Sequence, residues 1–170
     1  YDTVLDITWL ADANLAESDT FGPYFGVDPP GSDGSMEWAT AYQWIDGMNA
    51  DEGTGYLGYD GWRMPTFSPV NGSSLNLAFS NNGSTDIGHA NGTGWVDGSG
   101  NPVSEMGHMY YINLGNNGFC EPGNHCDVQA NIITGHPWWG LTNTGPFANL
   151  EADQYWNPLG QDLDNAWSFN

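Results

Sequence analysis

The stretch Ser35-Met36-Glu37-Trp38-Ala39-Thr40-Ala41-Tyr42-Gln43-Trp44-Ile45-Asp46-Gly47-Met48-Asn49 decides the fold class. Trp38, Ala41, Ile45 and Met48 recur at steps of three, four and three, the spacing of one helix face, with Ser35 as a capping residue and Gly47 and Asn49 near the end. A second helix is expected after Ser104, with Met106, Met109, Tyr110 and Leu114 along one stripe and Gly115 placed to close it. Both stripes are core surfaces rather than cofactor sites.

Outward from these helices the pattern turns to short strands. Leu5, Ile7 and Trp9 alternate with Asp6 and Thr8, the period of a half-buried strand opening the domain. Trp138-Trp139-Gly140-Leu141, Tyr155-Trp156 and Ala166-Trp167-Ser168-Phe169 read as short aromatic strands between turns. From Asp12 to Asp33 the chain is acidic and rich in Gly and Pro, and reads as a long excursion over the surface. Two helices, short strands and long loops predict an α+β fold. A length of 170 residues without a visible linker predicts one domain over residues 1–170.

One basic residue stands against 21 acidic ones, for a formal net charge of −20. A polyanion of that density repels nucleic acid and anionic lipid, so neither is expected as a partner. It also repels itself, and divalent cations with oxygen ligands relieve that strain best, which makes calcium the expected ion. The competing explanation is that acidity keeps an exported or halotolerant protein soluble. Nine Trp, eight Tyr and seven Phe make the expected core aromatic.

Cys120 and Cys126 are the two cysteines, and a local disulfide across Glu121-Pro122-Gly123-Asn124-His125 implies an oxidising compartment. A zinc site with His125 is the alternative, lacking a second Cys or His pair at ligand spacing. No apolar run approaches the ~20 residues that span a bilayer, so no membrane insertion is expected. Tyr1-Asp2 opening directly into a strand pattern reads as a mature terminus after signal cleavage. Asn71, Asn82 and Asn91 each begin an Asn-Gly-Ser/Thr unit, which is turn chemistry and also a glycan acceptor pattern.

Four blocks carry a family resemblance: Tyr1-Asp2-Thr3-Val4-Leu5-Asp6-Ile7-Thr8-Trp9-Leu10-Ala11-Asp12-Ala13-Asn14, Gly58-Tyr59-Asp60-Gly61-Trp62-Arg63-Met64-Pro65-Thr66, Ser104-Glu105-Met106-Gly107-His108-Met109-Tyr110-Tyr111, and Leu141-Thr142-Asn143-Thr144-Gly145-Pro146-Phe147. In this order they resemble the Lcl C-terminal-type domain of bacterial exported PEP-CTERM proteins. The resemblance implies a C-type-lectin-like fold, two helices flanking small antiparallel sheets with long functional loops, and export to the cell surface or beyond. It implies a location more firmly than an activity. Members usually continue past the equivalent of Ala166-Trp167-Ser168-Phe169 into a further strand. Here the sequence stops at Asn170, which implies either an open sheet edge suited to strand donation or an incomplete record.

Several positions are candidate sites. Asp97, Ser99, Asn101 and Glu105 form a partial calcium-loop pattern without the expected central glycine, and a polar turn leading into the second helix explains it equally. Glu151, Asp153, Asp162, Asp164 and Asn165 gather oxygens before the last aromatic strands, where lectin-like folds bring calcium loops together. Asp12, Asp19, Asp28 and Asp33 are placed to bridge subunits through shared cations. Trp138, Trp139 and Trp156 are candidate sugar-stacking rings. Arg63, the sole cation, beside Trp62, is expected to be structural, in an ion pair or stacked on a ring. His89, His108, His125 and His136 show no metalloprotease spacing, and no nucleophile elbow exists, so no enzymatic activity is expected. The expected function is an extracellular surface or matrix protein that self-assembles, as a homo-oligomer or polymer stabilised by calcium. The alternative is a calcium-dependent carbohydrate-binding module with a glycan partner.

Overall fold

The computed structural model describes residues 1–80, 84–86, 100, 102–116, 140–160 and 166–169, with side chains as far as Trp156 in the last stretches. Helix and strand are both present, in the order α1 (Trp38–Ala50), α2 (Glu105–Gly107, continuing as a π-helical stretch His108–Asn113), β1 (Tyr155–Gly160) and β2 (Ala166–Phe169). The chain forms two compact units, each drawn from two separated stretches: residues 1–9 with 66–146, and residues 10–65 with 147–170.

The second of these units is built on α1. The helix lies where the spacing places it, but its buried face runs through Thr40, Ala41, Trp44 and Met48, while Trp38 and Ile45 are only half-buried. Residues 41, 44 and 48 share the same helical periodicity, and the large indole of Trp44 turns the face toward itself. Its Nε1–H donates to the Asp19 carbonyl at 2.8 Å. Ser35 does not cap the helix. Its hydroxyl donates to Asp33 at 2.6 Å, and Glu37 holds the capping position without a side-chain cap.

The segment from Asp12 to Asp33 is mostly exposed from Glu17 onward, as expected, but it is also anchored in the core. Leu15 and Ala16 are each 7% exposed and join Trp44 and Met48 in the core, with Phe21 and Tyr24 packed against them. A 3-10 turn, Leu15–Glu17, places these apolar residues inward despite the acidic composition around them. Phe21 meets Trp44 and Tyr56 edge-on, each with ring centroids 5.2 Å apart. Close approach of backbone is also required here: a Cβ on Gly47 would lie 1.5 Å from the Phe21 carbonyl oxygen. The α1 end is joined to the chain beyond it by Asn49, whose amide donates to the Trp62 carbonyl at 2.9 Å and accepts from the Trp62 N–H at 2.8 Å.

Also in this unit, β1 and β2 pair antiparallel, Tyr155 opposite Phe169 and Trp156 opposite Ser168, confirming the last two aromatic strands. The register breaks between Trp156 and Gly160, where Pro158 has no N–H for the ladder. Asp12 and Ala148 form a parallel bridge nearby.

In the other unit the expected opening strand is a turn. Asp2 N–H donates to the Ile7 carbonyl at 2.8 Å and Ile7 N–H returns to Asp2 at 3.3 Å, with Asp6 at φ 56°. The Asp2 carboxylate accepts from the N–H groups of Val4 and Leu5 at 2.9 and 3.0 Å, and this local bonding overrides the alternating pattern. Helix α2 begins as expected at Ser104, whose hydroxyl accepts from the Gly107 N–H at 2.9 Å. Met106, Met109 and Leu114 are buried along its stripe, and Gly115 follows at φ 69°. The π-helical widening is visible as the Leu114 N–H reaching the Met109 carbonyl. Phe67 bridges Ser104 in antiparallel fashion, holding residues 66–68 along the start of this helix.

Candidate functional site

A shallow cavity of about 360 Å³, widely open to solvent, lies in the unit that contains α1, lined by Asp28, Pro29, Ser35, Met36, Glu37 and Trp156. Its parts come from the loop before α1 and from β1. The loop is tightly organised: Gly31 N–H donates to the Ser35 carbonyl at 2.7 Å, and Asp33 accepts from the Ser35 N–H at 3.0 Å as well as from its hydroxyl. Those two bonds hold the Asp33 carboxyl below its ordinary pKa. Asn14 reaches across to the Asp33 carbonyl at 3.1 Å, and the Thr40 hydroxyl donates to the Asp28 carbonyl at 2.7 Å. Trp156 Nε1–H donates to the Met36 carbonyl at 2.8 Å, which fixes the edge of the indole. The cavity therefore combines an oriented aromatic ring, two further apolar side chains and two acidic residues. That mixture suits a small ligand with one apolar and one polar face.

The other unit holds a buried polar cluster of a different kind. Asp2 is 6% and His108 7% exposed, with His108 Nε2 3.7 Å from Asp2 Oδ2. The Asn113 amide donates to the same carboxylate. Burial pushes the Asp2 carboxyl up, but the Leu5 N–H, Asn113, the Val4 N–H and His108 together outweigh it, so its pKa falls below the ordinary value. Such a group stabilises the fold above its unfolded pKa of about 4 and loses that contribution as pH falls through the lowered folded value. Asp2→Asn is expected to be less stable than the parent at pH 7, with the difference shrinking below about pH 4. Urea unfolding at both pH values checks this, and a pH-independent difference contradicts it.

Only some of the residues singled out from the sequence are among the described residues. Glu105 Oε2 accepts from the Thr66 N–H at 2.7 Å, while Asp97, Ser99 and Asn101 lie outside the described residues. Glu151 and Asp153 are exposed, and Asp153 accepts from the Gln154 N–H at 2.7 Å. Asp162, Asp164 and Asn165 lie outside the description, as do Cys120, Cys126, Trp138 and Trp139. Among the described residues no group of three or more His, Cys, Asp and Glu side chains converges as a metal site. The described donors of the two proposed calcium loops thus make no closed cage on their own.

Asp12 is tied within its unit, accepting from Asn14 N–H at 3.0 Å and from the Asn149 amide at 3.0 Å. Arg63 Nη1 donates to the Met64 carbonyl at 3.0 Å. Trp62 Nε1–H donates to the Tyr56 carbonyl at 3.2 Å, and its ring stands edge-on to Tyr59. Asn71 caps its own turn, accepting from the N–H groups of Ser73 and Ser74 at 2.9 and 3.0 Å; Asn82 and Asn91 are outside the described residues.

Sequence reasoning selected Trp156, and Asp28 and Ser35 for other roles, without placing them together. Pro29 and Glu37 drew no attention because nothing local marks them, and the Trp156–Met36 bond joins positions 120 residues apart. Among the described residues no helix is long and apolar enough to cross a membrane. No family model, curated protein or solved structure matches the chain.

Proposed function

We propose that this chain is an extracellular surface or matrix structural protein, C-type-lectin-like in fold, whose copies associate through calcium. The observation that carries this reading is the charge: −20 with a single basic residue. Copies of such a chain repel one another until cations collect between them, and divalent ions on carboxylate oxygens are the most effective at doing so. Glu17, Asp19, Asp28, Asp33 and Glu37 are all exposed, so their carboxylates are available to ions shared between neighbours rather than held in one closed site. The family resemblance supports the location. No catalytic role is assigned.

A second reading, a calcium-dependent carbohydrate-binding module, is favoured by the cavity at Trp156. An oriented indole stacks on the apolar face of a sugar while neighbouring carboxylates accept from its hydroxyls.

One experiment separates the two. Light scattering and electron microscopy are made with calcium and again after chelation. Large particles that dissolve on chelation are the expected result. Monodisperse monomers under both conditions overturn calcium-linked assembly, and an indole response to added glycan then supports the second reading.

A further inference from the structure

We propose that the Trp156 cavity binds a sugar bearing a free, protonated amine, a hexosamine unit rather than a neutral or N-acetylated one. This inference rests on the carbohydrate reading and narrows it. The cavity of about 360 Å³ is at the lower end of small-ligand sites, which suits one pyranose ring. Its apolar wall is Trp156, Met36 and Pro29, and the indole edge is anchored through Nε1 to the Met36 carbonyl, so the ring is held in place before a ligand arrives.

The polar members set the sign of the ligand's charge. Asp28 and Glu37 occupy exposed positions at the cavity, and Ser35 adds a hydroxyl whose proton is already directed to Asp33, leaving its lone pairs as acceptors. The start of α1 lies beside them, since Glu37 is its capping residue. A helix N-terminus acts as about half a positive charge, whereas the two carboxylates carry two full negative charges, so the local balance remains negative. An ammonium gains both from the carboxylates and from the face of an indole within about 6 Å. A carboxylate or phosphate group meets repulsion here and from the rest of the polyanion. An uncharged acetamide in the same place gives up the charge-assisted bonds.

The test is a titration of the intact chain, labelled with 15N at the indoles, at pH 6, with Trp156 assigned through Trp156→Phe. Three small probes are compared: methyl glucosaminide, methyl N-acetylglucosaminide and methyl glucoside. The Trp156 indole resonance is expected to shift most readily with the glucosaminide, whose dissociation constant is about tenfold lower than those of the other two. Glu37→Gln and Asp28→Asn each weaken the glucosaminide by about threefold and leave methyl glucoside nearly unchanged, while Glu52→Gln, outside the cavity, changes neither. Equal affinity for all three sugars overturns the amine preference and leaves the carbohydrate reading standing. No Trp156 shift with any of them overturns both, and a glucosaminide shift unaffected by Glu37→Gln and Asp28→Asn together assigns the amine to diffuse charge and overturns the site.

Discussion

Gly47→Ala is expected to destabilise the protein by about 3 kcal/mol, the upper part of the range for forcing extra atoms into a packed interior. The substitution makes two opposite predictions according to which level of structure governs. As a residue inside a helix, alanine is better than glycine by about 1 kcal/mol, so α1 considered alone becomes more stable. In the folded unit, however, the new Cβ would sit 1.5 Å from the Phe21 carbonyl oxygen and 3.0 Å from the Phe21 Cβ. The obstacle is backbone, which cannot rotate aside as a flexible side chain does. Residues around Phe21 have to withdraw from α1, loosening the ring contacts of Phe21 with Trp44 and Tyr56. Urea denaturation measures the result: a lower midpoint at unchanged slope is expected. A midpoint at or above that of the parent refutes the close approach of residue 21 to the helix.

Asn116→Ala is expected to cost about 2 kcal/mol, by a different route. Asn116 is 3% exposed, and its side chain makes four hydrogen bonds. Oδ1 accepts from the Thr142 N–H at 2.9 Å, the Thr142 hydroxyl at 3.1 Å and the Asn143 N–H at 2.8 Å, while Nδ2 donates to the Asn143 carbonyl at 2.9 Å. The truncated residue removes the partner of two backbone N–H groups and a carbonyl on Thr142 and Asn143, which are exposed, so water takes over part of the bonding and each lost bond costs about 0.5–1.5 kcal/mol. The lost anchor frees residues 142–145, which Asn143 otherwise holds through its own amide to the Leu114 carbonyl at 2.8 Å. Hydrogen exchange of the Thr142 and Asn143 amides tests this directly. Strong acceleration at those two amides is expected, and unchanged protection there contradicts the assigned bonding.

These two residues show where local pattern and tertiary context part. Gly47, a poor helix former, reads by itself as a sign of the helix end, and Asn116 is only a polar residue after a helix. Their actual roles depend on partners far along the chain, Thr142 for one and Phe21 for the other. The same holds for Trp44, which fits the helical spacing as well as Ile45 does and becomes the centre of the buried face once the Asp19 carbonyl is brought to its indole.

What the sequence determines by itself is the set of features governed by neighbours within a few residues. The apolar spacing places α1 and α2, the Ser104 hydroxyl meets the Gly107 N–H, and Gly115 takes the left-handed conformation after α2. The aromatic runs at Tyr155-Trp156 and Ala166–Phe169 form strands, and composition sets the charge of −20. Tertiary structure decides the rest: that Leu15 and Ala16 leave an acidic segment for the core, that Asp2 folds the first residues into a turn joined to Asn113, and that Asp28 and Glu37 share a cavity with Trp156. The physical reason is range. Capping, periodicity and charge act through nearest neighbours or total composition, whereas a buried amide, a bare glycine or a cavity wall has meaning only against the distant residue that packing brings to it.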